Sequence, residues 1–228
     1  MLEKFFDIYD SLIVFDTETT GLEFRLDKII ELAAIRVVRH NEKIVVTDEL
    51  DMLIKLPEGM MVPAQIEKLT GITNEKLAIE GISSKDACKQ FVDLFSGERI
   101  LLIAYNAQFD MNFLYYFLLE HNSSEILKKI NMLDAYTVYR DRREYPHKLE
   151  NAIQAYDLQD KVVNSHRAVD DTLALLEVLK AMEGECDDLY KYINLFGYNP
   201  KYGVSGNKIS SVTYKAQPYN CTKKLYEL

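Results

Sequence analysis

Leu12-Ile13-Val14-Phe15 is an unbroken apolar run that ends in an acid, Asp16. A short run with no polar alternation reads as a central strand, buried on both faces. Residues 28–39 and 43–47 are rich in β-formers, and His40-Asn41-Glu42 between them is a polar break suited to a turn. With Leu50 to Leu56 they predict a meander after the first strand. Pro63 is placed to open a short helix and Gly71 to end it. Residues 84–95 bring Ala87, Phe91, Leu94 and Phe95 to one side of a helix, and residues 99–105 form a second buried strand ending near Asn106. Helices are expected over 110–120, 125–130 and 148–156, and most regularly from Val169 to Glu183. Strands first, then helix alternating with strand, predict an α/β domain with a mixed β-sheet flanked by helices.

Past residue 184 the pattern changes. Seven of the fifteen tyrosines lie in residues 189–228, interspersed with Gly197, Pro200, Gly203, Gly206 and Pro218. So aromatic a segment reads as an ordered, irregular extension. The expected organisation is a domain over 1–183 and a basic, Tyr-rich C-terminal extension over 184–228. The extension has two readings. Its lysines and tyrosines could track phosphates and stack on bases, or its tyrosines could pack on the body.

Charge changes this picture only in part. The net charge of −9 argues against a surface that binds nucleic acid through Lys and Arg alone. Residues 189–228 nevertheless hold six lysines and one acid, a charge of +5 that leaves −14 on residues 1–188. An acidic body is compatible with phosphate recognition when metal ions neutralise the phosphate. Cys88, Cys186 and Cys221 show neither a disulfide framework nor zinc-ligand spacing, which suits a reducing cytoplasm. No run of about 18 apolar residues predicts a membrane span.

The candidate chemistry lies in acids that interrupt apolar faces. Asp16 and Glu18 are two apart on a strand, so they share a face. On a helix of about 3.6 residues per turn, Asp110 has Phe113, Leu114, Phe117 and Leu118 as neighbours. Asp171 similarly sits among Leu175, Val178 and Met182, whereas Asp170 lies with Glu177 and Ala181 on the polar side. A turn or an N-cap would account for any one of these acids singly. An ionised carboxylate on a core-facing arc needs a partner, and several converging acids point to hard divalent cations, Mg²⁺ or Mn²⁺. Of the histidines, His40 falls in a turn, His121 ends a helix and His147 follows Pro146 in a polar loop. His166 precedes the helix of Asp171 and, with an ordinary pKa of about 6.5, is the candidate general base.

These positions carry a family pattern. Phe15-Asp16-Thr17-Glu18-Thr19-Thr20-Gly21-Leu22 resembles the first motif of the DEDDh exonucleases, the DnaQ-like group with an RNase H-like fold that includes proofreading subunits of bacterial replicative DNA polymerases. Asn106-Ala107-Gln108-Phe109-Asp110 resembles the second motif, and His166-Arg167-Ala168-Val169-Asp170-Asp171 the third. Leu69-Thr70-Gly71-Ile72-Thr73 matches a family loop, and Leu133-Asp134-Ala135 a family segment in which Ala135 replaces a more usual Thr. The resemblance covers roughly residues 10–182.

The resemblance implies 3′→5′ removal of nucleoside 5′-monophosphates with two Mg²⁺ or Mn²⁺ ions about 3.5–4 Å apart. Asp16 would bridge them, Glu18 and Asp171 would complete one shell, and Asp110 would help to hold the other through water. His166 would take the proton of the attacking water. Backbone groups of Thr17, Thr19, Thr20, Gly21 and Leu22 would hold the terminal nucleotide, with Leu22 against its base. Asn106 and Phe109 belong to the same substrate side, Phe109 also being suited to packing. The implied partner is a nucleic-acid 3′ end, with single-stranded DNA favoured and RNA an alternative, and a DNA polymerase is a further candidate partner. Two rival readings remain: an exoribonuclease that trims RNA or degrades oligoribonucleotides, and a non-catalytic module that binds a polymerase or nucleic acid.

Overall fold

The computed structural model describes residues 2–97, 99–163, 167–201, 211–218 and 221–228. A short helix α1 (Glu3–Ile8) leads into β1 (Ser11–Thr19), β2 (Ile29–His40) and β3 (Lys43–Leu53). Helices α2 (Ala64–Thr70), α3 (Asn74–Glu80) and α4 (Ser84–Asp93) follow. Then come β4 (Ile100–Ala104), α5 (Ala107–Glu120), β5 (Asn131–Asp134), α6 (Ala135–Arg142), α7 (Leu149–Ala155) and α8 (Ala168–Glu185). The chain ends with β6 (Leu195–Tyr198) and β7 (Thr213–Ala216).

Five strands form one mixed sheet in the order β3-β2-β1-β4-β5. β2 pairs antiparallel with β1 and β3, whereas β4 pairs parallel with β1 and β5. The apolar run of β1 therefore sits at the centre, and Leu12, Ile13, Val14 and Phe15 are all fully buried. Their alternation divides the core. Leu12 and Val14, with Leu101 and Ile103, pack on Leu175, Leu179 and Val138 of α8 and α6. Ile13 and Phe15, with Leu102 and Ala104, pack on Phe91 and Leu114 of α4 and α5. This is the RNase H-like arrangement expected from the sequence. β3 lies at an edge and carries Asp48, Glu49 and Asp51, charges that discourage pairing with another chain.

Several boundaries differ from expectation. β3 runs unbroken through residues 48–49, and a register irregularity opposite, between Arg36 and Val37, absorbs the change. α5 begins at Ala107 because Asn106 adopts a left-handed conformation (φ 63°) and Asp134 accepts the Ala107 N–H at 3.0 Å. Residues 124–128 form a tight 3₁₀ turn rather than an α-helix. α1, α3, β5 and α6 were not apparent in the pattern. Pro63 and Gly71 do bracket α2, and Gly71 has φ 71°.

The C-terminal segment contains regular structure, with β6 and β7 forming a two-stranded parallel sheet. Its described residues pack on the body. Tyr192, Phe196 and Leu225 are fully buried. Asn194 donates its N–H to the Met132 carbonyl at 2.7 Å, and its side chain accepts the Met132 N–H at 2.9 Å. Asp141 accepts from the Tyr192 hydroxyl at 3.1 Å and from the Leu225 N–H at 2.6 Å. Among the described residues, no helix is long and apolar enough to cross a membrane.

Candidate active site

The alternation that buries β1 also decides where its acids point. Asp16 and Glu18 continue the series of Leu12 and Val14 and face α8, whose first turn carries Asp171. Carboxylate oxygens of Asp16, Glu18 and Asp171 lie within 4.8 Å of one another. Thr17 points to the other face. There its hydroxyl donates to Asp110 Oδ1 at 2.7 Å, and Asp110 is buried in the first turn of α5. Asp110 thus stands outside the group of three, on the opposite side of the strand end. Since Asn106 holds the N-cap position, capping does not explain Asp110.

So many acids together disfavour their own ionisation. Burial, then the charges of Asp171, Glu31 and Asp110, pushes Glu18 up to about 8. Burial, then Asp170 and Glu31, pushes Asp171 up to about 7. Asp110 is pushed up by burial to about 7, against the Thr17 hydrogen bond. Asp16 is raised well above the ordinary carboxylate range by burial and then by Asp110. Oδ1 of Asp171 is buried without a hydrogen-bond partner among the described residues. An unpartnered buried oxygen beside two more carboxylates is a donor set that fits a hard divalent cation.

Arg167 is a basic group beside these acids, and its side chain is already held. Its guanidinium pairs with Glu31, Nε donating at 2.7 Å, while the other oxygen of Glu31 accepts the Ala168 N–H at 2.9 Å. Glu31 is fully buried on β2 and directly opposite Glu18. It ties the start of α8 to the sheet, and its role was not read from the sequence. Asp134 is a second such anchor. Besides the Ala107 N–H it accepts the Tyr136 N–H at 3.2 Å and the Thr137 hydroxyl at 2.6 Å, joining the starts of α5 and α6.

Of the residues expected on the substrate side, Leu22, Asn106 and Phe109 line one cavity of about 370 Å³, together with Glu23, Phe24, Gln108 and Asn112. Leu22 is exposed. The threonine hydroxyls are engaged internally: Thr19 donates to the Gly21 carbonyl at 2.6 Å and Thr20 to Asp27 at 3.0 Å. A Cβ on Gly21 would lie 2.4 Å from the Asp27 carboxylate, so a larger residue would have to displace that side chain from the Thr20 hydroxyl and the Glu23 N–H that it accepts. His166 lies outside the described residues. His147 is buried rather than solvated, its Nε2 2.8 Å from the Arg143 carbonyl.

The family model of the RNase_T exonucleases matches residues 13–179, a span that includes all four candidate ligands. The chain belongs to this exonuclease family. It is one of the DnaQ-like DEDDh 3′→5′ exonucleases. The exonuclease is 33% identical over 180 residues to the PolC-type DNA polymerase III of Clostridium perfringens, covering 78% of this chain and 11% of that protein. To the PolC-type DNA polymerase III of Caldanaerobacter subterraneus subsp. tengcongensis it is 30% identical over 180 residues, covering 75% of this chain and 11% of that protein. The chain thus spans about 11% of the length of these relatives. Exonuclease I from Methylocaldum szegediense superimposes with a TM-score of 0.67 at 19% identity, over 80% of this chain and 42% of that one. Escherichia coli Exonuclease I in complex with a dA16 oligonucleotide gives 0.66 at 18% identity, over 80% and 42%. Both share the fold of the exonuclease.

Proposed function

We propose that the chain hydrolyses DNA from the 3′ end with two bound divalent ions, Mg²⁺ or Mn²⁺, and releases nucleoside 5′-monophosphates in replication proofreading or repair. The observation that carries this reading is the cluster of Asp16, Glu18 and Asp171, with the unpartnered Asp171 oxygen, beside Asp110. PolC-type DNA polymerases among the relatives and an oligonucleotide-bound Exonuclease I among the fold neighbours support DNA as substrate. A polymerase is the proposed protein partner. The three free cysteines suit a cytoplasmic setting.

Asp16, Glu18 and Asp171 would hold the ions, and Asp110 would assist from the other side of β1. The ions, when bound, would neutralise the scissile phosphate and acidify the attacking water. Leu22 and Phe109 would grip the terminal base in the cavity next to Asn106, with backbone groups of residues 17–22 along the nucleotide. His166 would accept the proton of the attacking water; the residue after it, Arg167, is held on Glu31.

A 5′-labelled single strand tests the reading. The expected product is a descending ladder that keeps its label, abolished by EDTA and restored by Mg²⁺ or Mn²⁺. Release of the labelled 5′ mononucleotide from intact strands would reverse the polarity. A parallel RNA strand, or a dinucleotide, cleaved faster than DNA would make the enzyme an exoribonuclease.

A further inference from the structure

Asn106 lines two depressions. One is the cavity with Leu22 and Phe109. The other, of about 350 Å³, is walled by Tyr105, Tyr136, Tyr145, His147 and Lys148. We propose that this second depression binds the nucleotide immediately 5′ to the terminal one, its base stacking on the ring of Tyr145. This rests on the exonuclease reading above and adds a subsite to it.

Three observations lead there. First, Tyr145 is 78% exposed, an unusual position for an aromatic ring beside a cavity. Second, the ring has a fixed support. It meets His147 edge-on at 5.9 Å, and His147 is also flanked edge-on by Tyr139 at 5.9 Å and by Tyr136 at 6.1 Å. The Tyr105 hydroxyl donates to the His147 carbonyl at 2.7 Å. The group beneath the ring is thus itself fixed, which limits the freedom lost on stacking. Third, the depressions continue in series. Tyr145 and His147 also border a larger cleft of about 740 Å³, whose walls carry Arg140 and Arg143 together with Asp141 and Glu144. A single strand whose last base lies near Leu22 can thus pass Asn106, cross Tyr145 and enter this cleft. The exposed Lys148 ammonium, 3.7 Å from Glu150, stands at the rim of the second depression, where a phosphate would pass.

Stacking is tolerant of sequence because every base has a π-face, so the subsite would bind the strand without reading it. Binding and turnover should be compared for the wild type, Tyr145→Ala and Tyr145→Phe. The substrates are a dT oligonucleotide and the same strand with an abasic residue at the penultimate position. Tyr145→Ala is expected to raise KM for the normal strand about tenfold with kcat nearly unchanged. Tyr145→Phe should behave as wild type. The abasic strand should bind the wild type about tenfold more weakly and should gain no further penalty in Tyr145→Ala. Equal KM in wild type and Tyr145→Ala, or an abasic penalty that persists in full in that variant, would overturn the subsite while leaving the nuclease intact. A wild type that cleaves no strand refutes the exonuclease reading instead, and anisotropy of the labelled strand then still decides whether Tyr145 binds a base.

Discussion

Glu31 Oε2 accepts the N–H of Ala168, the first residue of α8, at 2.9 Å. A buried carboxylate on the sheet thereby caps the helix that delivers Asp171 to the acid cluster. Its other oxygen holds Arg167, the residue next to His166. Glu31 is fully buried and acts through position. Glu31→Gln keeps the shape but removes the charge that pairs Arg167. The variant should lose about 10–100-fold in kcat, because small displacements of catalytic groups are costly. KM should stay within about twofold. Stability should fall by about 1–3 kcal/mol from the broken buried pair. A variant with reduced melting temperature but normal kcat would make Glu31 merely structural.

Asp170 and Asp171 are adjacent, yet only Asp171 joins Asp16 and Glu18. Asp171→Asn should lower turnover by more than about 10²-fold, the scale on which a group needed in the transition state acts. It should not destabilise the metal-free protein, because it relieves repulsion between clustered carboxylates. Asp170→Asn should keep most activity. Thermal stabilisation by Mn²⁺, which reports binding to the folded state, should shrink in Asp171→Asn and persist in Asp170→Asn. Inactivity of Asp170→Asn alone would invert the assignment.

The same contrast explains what the sequence discloses. Asp16, Asp110 and Asp171 each interrupt an apolar face, so local periodicity is enough to single them out. Glu31 meets the same criterion, inside Ile29-Ile30-Glu31-Leu32-Ala33, but in a strand one acid also reads as ordinary alternation. Only its register opposite Glu18 and the approach of α8 reveal its partners. Phe24, Gln108 and Asn112 come together in the cavity beside Leu22 and Phe109 from two elements far apart in the chain, and neither carries the signal alone. β5 is four residues long, too short for a pattern. The parallel pairing of β6 with β7 spans a long connection and leans on β5, so nothing local announces it.

The described residues of the tyrosine-rich extension pack on the exonuclease body, and its apolar residues should stabilise the fold. Phe196 is fully buried and belongs to the same apolar cluster as Ile130 and Met132. Phe196→Ala should cost about 3–5 kcal/mol, the usual price of a buried aromatic. A shift of the urea midpoint with unchanged slope measures it. If stability is unchanged while strand binding weakens, the extension is a nucleic-acid arm and the packing argument fails.

The acid cluster also fixes how stability should follow pH. In the folded, metal-free protein Glu18 titrates near 8 and Asp110 and Asp171 near 7. In the unfolded chain such groups titrate near about 4. Between these limits the folded state binds more protons, so its stability must fall as pH rises from about 4 to about 8. The slope is up to about 1.4 kcal/mol per pH unit for each extra proton. Metal binding needs the deprotonated ligands, so protons compete with it. Without metal, the melting temperature of the wild type should therefore drop relative to Asp171→Asn between pH 5.5 and pH 8.5, since the variant lacks one of the titrating groups. Stabilisation by Mn²⁺ should grow over the same interval, because at high pH the ions find charged ligands and relieve their repulsion. Using the difference between the two proteins cancels carboxylates elsewhere, such as Glu185 and Asp188, whose values are lowered and which act in the opposite direction in acid. A difference that does not change with pH, together with Mn²⁺ stabilisation that is flat, would mean that these acids do not share one site.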